Sequence, residues 1–103
     1  MIMLFYPKFF VDTGDMSETT AIEAGIALKR FLVEEKLLIN EKEVLSRPDG
    51  LDNALYLEDL NEDGLEVMRK GLDRYLARFD RNRNADPADV SILRRAVAAF
   101  RKA

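Results

Sequence analysis

The residues best spaced for chemistry are Asp59, Asn61, Asp63 and Gly64, which match the first half of a calcium-binding loop. In such a loop, oxygen ligands alternate along the chain before a glycine that allows a sharp turn. The match fails at the twelfth position, where a bidentate glutamate is required and Lys70 stands instead. An ammonium group there repels the cation it should help to hold. A second run, Asp80, Asn82 and Asn84, has Ala85 at the glycine position and Ser91 at the twelfth. Both segments therefore read as helix-capping and turn chemistry, and no metal is expected.

Catalysis is poorly provided for. The chain has no histidine, which removes the usual general base and the commonest transition-metal ligand, and no cysteine, which removes thiolate nucleophiles and disulfides. Glu34 with Glu35 and Glu58 with Asp59 are adjacent pairs, but neighbours in sequence do not face a common substrate on a helix. Ser17, Ser46 and Ser91 have no activating base beside them. No Gly-rich phosphate loop or dinucleotide fingerprint occurs, so no cofactor is expected. A carboxylate-based enzyme is left only as an alternative whose groups would have to converge from distant segments.

Charge is the most uneven property of the chain. Residues 1–66 hold fifteen acidic and six basic residues, a net charge of −9, whereas residues 67–103 hold ten basic and four acidic, a net +6. Asp49, Asp52, Glu58, Asp59, Glu62, Asp63 and Glu66 follow one another with no intervening Lys or Arg. The basic half offers Arg69, Lys70, Arg74, Arg78, Arg94, Arg95 and Arg101. Three readings compete: internal balance between the two halves, a protein-interaction face steered by either pole, and nucleic-acid binding through the arginine-rich helices. The last is handicapped, because the acidic half repels phosphate and the cations spread around the helices.

These side chains must be positioned by a small framework. The N-terminal segment is rich in strand formers, Ile2, Phe5, Tyr6, Phe9, Phe10 and Val11, with Pro7 predicting an edge strand or a break into two short pieces. A helix is predicted to start between Ser17 and Thr20, burying Ile22, Ala24, Ala27, Leu28, Phe31 and Leu32, with Gly25 available for close packing. Segment 36–60 divides between short strands and a helix: Asn40 with Glu43 is a capping box ahead of Val44, and Pro48-Asp49-Gly50 is a strong turn. A helix capped at Asn61 follows, with Leu65, Met68, Leu72, Tyr75 and Phe79 as its core stripe. Asp86 is the expected N-cap of a last helix with Pro87 at its first position, burying Val90, Leu93, Val97 and Phe100. These two helices are expected to form an antiparallel hairpin.

The expectation is therefore a helix-rich α+β fold with a short N-terminal strand region and three main helices, an all-α fold being the alternative. With 103 residues and 48% apolar side chains, one small globular domain spanning 1–103 is expected. The apolar N-terminus has neither a preceding basic region nor a following small-residue cleavage pattern, which predicts a cytoplasmic protein. No membrane association is expected. A non-enzymatic protein-interaction module, regulatory or inhibitory, is the favoured function. Its expected partner is another protein or a second copy, with nucleic acid as the alternative, and the charged residues named above form its candidate surface.

Overall fold

In a computed structural model, which describes residues 2–102, the fold is mixed α+β and helix-rich. The chain begins with strand β1 (Met3–Phe5) and then enters helix α1 (Pro7–Asp12) directly. Pro7 occupies the first helical turn, where its missing N–H leaves no bond unmade. The expected strand character of Phe9, Phe10 and Val11 is thus overturned. The helix places Phe10 against Phe5, ring centroids 5.0 Å apart, and that tertiary contact outweighs β propensity.

Helix α2 (Glu18–Glu34) is capped by Ser17, whose hydroxyl accepts from the Thr20 amide at 3.2 Å. It buries Ala21, Ala24, Gly25, Leu28, Phe31 and Leu32, while Ile22 and Ala27 are only half-buried. Gly25 makes the close approach its position suggested: a Cβ there would lie 3.3 Å from Pro7 Cγ and 3.4 Å from Asn53 Nδ2. Lys36, in a left-handed conformation, ends the turn after α2.

Segment 36–60 contains both of the competing structures. Asn40 caps helix α3 (Glu41–Ser46) through a bond from the Glu43 amide at 3.2 Å. Leu38 bridges Leu60 antiparallel, and β1 pairs with strand β2 (Leu55–Tyr56) in the register Met3–Tyr56 and Phe5–Leu55, with an irregularity between them. A single 3-10 turn, Leu57–Asp59, joins β2 to this bridge.

Helix α4 (Glu62–Arg81) is capped by Asn61, whose side-chain oxygen accepts from the Gly64 amide at 2.8 Å. It packs tightly against helix α5 (Ser91–Lys102), giving the C-terminal helical hairpin. The start of α5 lies later than the Asp86–Pro87 signal predicted. Asp86 and Asp89 instead form local turns, accepting from the amides of Ala88 and Ser91. The carbonyls of Asp86, Pro87 and Asp89 are taken by side chains of α4: Arg78 donates to the first and third, and the Tyr75 hydroxyl to Pro87 at 2.7 Å. Carbonyls engaged from α4 hold this stretch as a loop against the helix.

One continuous core joins these elements, with Phe5, Leu28, Phe31, Leu37, Val44, Leu55, Val67, Tyr75 and Leu93 among its buried members. The radius of gyration, 12.9 Å, is that of a compact chain of this length. Removing the Tyr75 hydroxyl (Tyr75→Phe) strands the Pro87 carbonyl without its partner in a buried site. The expected loss is about 1–2 kcal/mol, read from urea unfolding midpoints. An unchanged midpoint would mean that water replaces the hydroxyl.

Candidate functional site: a basic groove between the last two helices

Gly71 lets α4 and α5 approach each other. A Cβ at this position would stand 2.9 Å from Leu93 Cδ2 and 3.3 Å from Ala96 Cβ. Beside this contact the two helices border a groove of about 700 Å³, lined by Arg69, Lys70, Gly71, Arg74, Ile92, Arg95, Ala96 and Ala99. Helical spacing supplies the walls: Lys70 and Arg74 are one turn apart on α4, as are Ile92, Arg95 and Ala99 on α5.

The seven basic residues singled out in the sequence fall into two groups. Arg69, Lys70, Arg74 and Arg95 converge on the groove, and all four are exposed. Only Arg69 among them has an ion pair within the described residues, with Glu66 at 2.9 Å, and the guanidinium holds the Glu66 carboxyl below its usual range. Arg78, Arg94 and Arg101 are struts. Arg78 ties the loop before α5 to α4 and lies over the rings of Tyr75 and Phe79, 5.0 and 5.4 Å from their centroids. Arg94 pairs with Glu34 at 3.3 Å, and Arg101 pairs with Glu35 at 3.4 Å and donates to its carbonyl at 2.9 Å. These contacts join the basic hairpin to the C-terminal end of α2, so part of the charge asymmetry is balanced internally.

The acidic candidates also separate. Asp59 accepts both arms of the Arg47 guanidinium, at 2.7 and 2.9 Å, together with the Tyr56 amide at 2.9 Å. Arg47 holds the Asp59 carboxyl below its usual range. Asp49 accepts from Lys29 at 2.9 Å, and Asp52 from the Tyr6 hydroxyl at 3.2 Å. Glu58, Glu62 and Asp63 are exposed, with no ion pair among the described residues. In the calcium-like stretch, Asp59 is committed to Arg47, Asn61 to capping and Gly64 to the first turn of α4. Among the described residues, no group of three or more His, Cys, Asp or Glu is placed to hold a metal.

Lys29 and Asn53 belong to a polar cluster that no sequence pattern marked. Lys29 sits on the buried side of α2 with 6% exposure and donates to the Arg47 carbonyl at 3.0 Å as well as to Asp49. Asn53 is 1% exposed, and its Oδ1 has no hydrogen-bond partner in the protein. The cluster anchors the Pro48-Asp49-Gly50 turn to α2. A lysine within an apolar helical stripe offered the only hint, since its alkyl stem packs while its ammonium needs a partner beyond the helix.

Comparison with protein-family models, curated proteins and solved structures yields no match to the chain. What the groove can do therefore follows from its own chemistry. Guanidinium and ammonium groups attract and orient anions, and the guanidinium fork grips carboxylates in two-point contacts. The groove lining contains no histidine, carboxylate or hydroxyl that would act as base or nucleophile. Its lining sets four cationic side chains around a small apolar floor of Ile92, Ala96 and Ala99.

Proposed function

We propose that this protein is a non-enzymatic protein-interaction module that receives an acidic, amphipathic segment of a partner protein in the groove between α4 and α5. The observation that carries the reading is the convergence of Arg69, Lys70, Arg74 and Arg95 around Ile92, Ala96 and Ala99. Carboxylates along the rim satisfy Lys70, Arg74 and Arg95, Arg69 being already paired with Glu66, and an apolar side chain between them covers the aliphatic floor. That combination of a desolvated apolar anchor and a polar rim is how compact protein interfaces gain affinity.

Two features favour a protein over a nucleic acid. A phosphate backbone neutralises the cations but leaves the apolar floor uncovered. The −9 charge of residues 1–66 also repels a long polyanion beyond the short stretch the groove can hold.

The test is fluorescence anisotropy with peptides carrying Asp or Glu on both sides of a leucine, alongside single-stranded and duplex DNA. Micromolar peptide binding is expected, weakened about tenfold or more by Arg74→Glu with Arg95→Glu, since each reversal removes an attraction and adds a repulsion. Both residues are exposed, so far-UV circular dichroism should be unchanged. Failure of every peptide to bind, affinity indifferent to the double reversal, or tighter binding to DNA would overturn the proposal.

A further inference from the structure

A second surface differs from the groove in both location and polarity. Leu65 belongs by spacing to the apolar stripe of α4, yet it is 39% exposed. Ile39, just after the Leu38 bridge, is 70% exposed, and Ile2, just before β1, is 67% exposed. Isolated exposed apolar side chains are ordinary. These three come from distant parts of the chain and line one shallow depression of about 530 Å³ with Leu57, Leu60 and Glu58.

The shelf has a pinned backbone. The Leu57 amide donates to the Ile2 carbonyl at 2.8 Å, and the Ile39 amide to the Asp59 carbonyl at 2.9 Å. The Asn61 amide donates to the Leu37 carbonyl at 3.0 Å, and Leu60 is buried beneath the surface. The apolar side chains are therefore presented from a preorganised base, which lowers the ordering cost of docking.

Charge selects the occupant. Glu58 is the one charged residue in the lining, and Glu62 stands one helical turn before Leu65 on the same face of α4. Both are exposed, and neither has an ion pair among the described residues. Arg69, one turn beyond Leu65, is held by Glu66. An apolar centre edged by unmatched carboxylates is complementary to an apolar segment flanked by Lys or Arg. Two copies meeting through this surface about a two-fold axis would bring the Glu58 side chains of both into one interface, whose lining residues include no cation.

We propose that the shelf formed by Ile2, Ile39, Leu57, Leu60 and Leu65 is a second docking surface, and that its occupant is a basic amphipathic segment of a partner protein. With the basic groove on α4 and α5, this gives the protein two binding faces of opposite polarity. The shelf inference does not depend on the groove reading, because no residue lines both depressions.

The experiment is a ¹⁵N chemical-shift titration of the whole chain with an amphipathic helical peptide of Lys and Leu, paired with analytical ultracentrifugation of the protein alone. Shifts are expected at the amides of Ile39, Leu57, Leu60 and Leu65. Affinity should fall about tenfold or more in Ile39→Ser with Leu65→Ser, and again in Glu58→Lys, which reverses charge without removing apolar surface. The groove variant Arg74→Gln with Arg95→Gln, which removes two of the groove's cations without making it acidic, should keep its affinity for this peptide. Shifts confined to other surfaces, or affinity unmoved by Glu58→Lys, would overturn the inference. So would a concentration-dependent dimer that the Ile39 and Leu65 substitutions abolish, because it would make a second copy the occupant.

Discussion

Replacing Gly64 by alanine is expected to destabilise the protein by about 3 kcal/mol, opposite in sign to what helix propensity alone predicts. Alanine in an exposed helix interior is favoured over glycine by about 1 kcal/mol. At Gly64, however, the added Cβ would lie 2.4 Å from the Leu37 carbonyl oxygen and 3.2 Å from the Cβ atoms of Leu37 and Leu60. The oxygen cannot simply turn away, because it accepts the Asn61 amide at 3.0 Å within the short pairing of 37–39 with 59–61. Relief requires displacing the first turn of α4, which also costs the Asn61 cap. Urea unfolding should show a lowered midpoint with little change in slope. Gly71→Ala is the informative contrast. Its nearest obstacle is the far end of the Leu93 side chain, which can change rotamer, so its loss should be smaller. A Gly64→Ala protein as stable as the parent would disprove the backbone-contact argument.

The second large effect is expected at Asp59. Asp59→Asn should cost about 2 kcal/mol, below the roughly 3–5 kcal/mol for splitting a fully buried pair, because solvent reaches the edges of both partners. The substitution removes the charge facing Arg47, whose guanidinium is held by Asp59 at 2.7 and 2.9 Å. The pH dependence follows from the direction of the shift. Asp59 has a lower pKa folded than unfolded, because the charged form is held by Arg47 and the Tyr56 amide. Its contribution is therefore complete above the unfolded carboxyl pKa of about 3.9 and disappears as pH falls through the lower folded value. The parent should lose stability more steeply than Asp59→Asn across that acidic window. Parallel acid profiles would show that other carboxylates control the transition.

The parts of the fold legible in the sequence are those fixed by local chemistry. Asn40 and Asn61 each cap the helix that follows, because an acceptor side chain can reach an amide three residues onward whatever lies beyond it. For α2 the sequence bounded the start to Ser17–Thr20 without singling out Ser17 as the cap. The paired helices at the C-terminus were visible in their apolar periodicity. Leu65 shows where such reasoning ends: spacing identifies a shared helical face but not whether another element covers its first turn. Pro7 was read as an interruption and acts as a helix start, since the deciding contacts are Phe5 with Phe10 and α1 with α2. The delayed start of α5 depends on Tyr75 and Arg78 capturing carbonyls more than one turn away in sequence.

The candidate groove was legible as a set of charges and not as a place. Arg74 and Arg78 are indistinguishable in a one-dimensional pattern, yet one borders the groove and the other fastens a loop. The difference lies in which carbonyls and rings surround each guanidinium. Lys29 was hidden for a related reason, because its partners, Asp49 and the Arg47 carbonyl, come from a turn about twenty residues away.

The unequal fastening of the two groove walls has a further consequence. Helix α4 buries seven residues along its length, whereas α5 buries Leu93 and Val97 and is tied to α2 by exposed ion pairs. Amide hydrogen exchange is therefore expected to be faster along α5 than along α4. On the proposed reading of the groove, α5 is then the wall expected to yield to side chains of different bulk, with α4 as the fixed one.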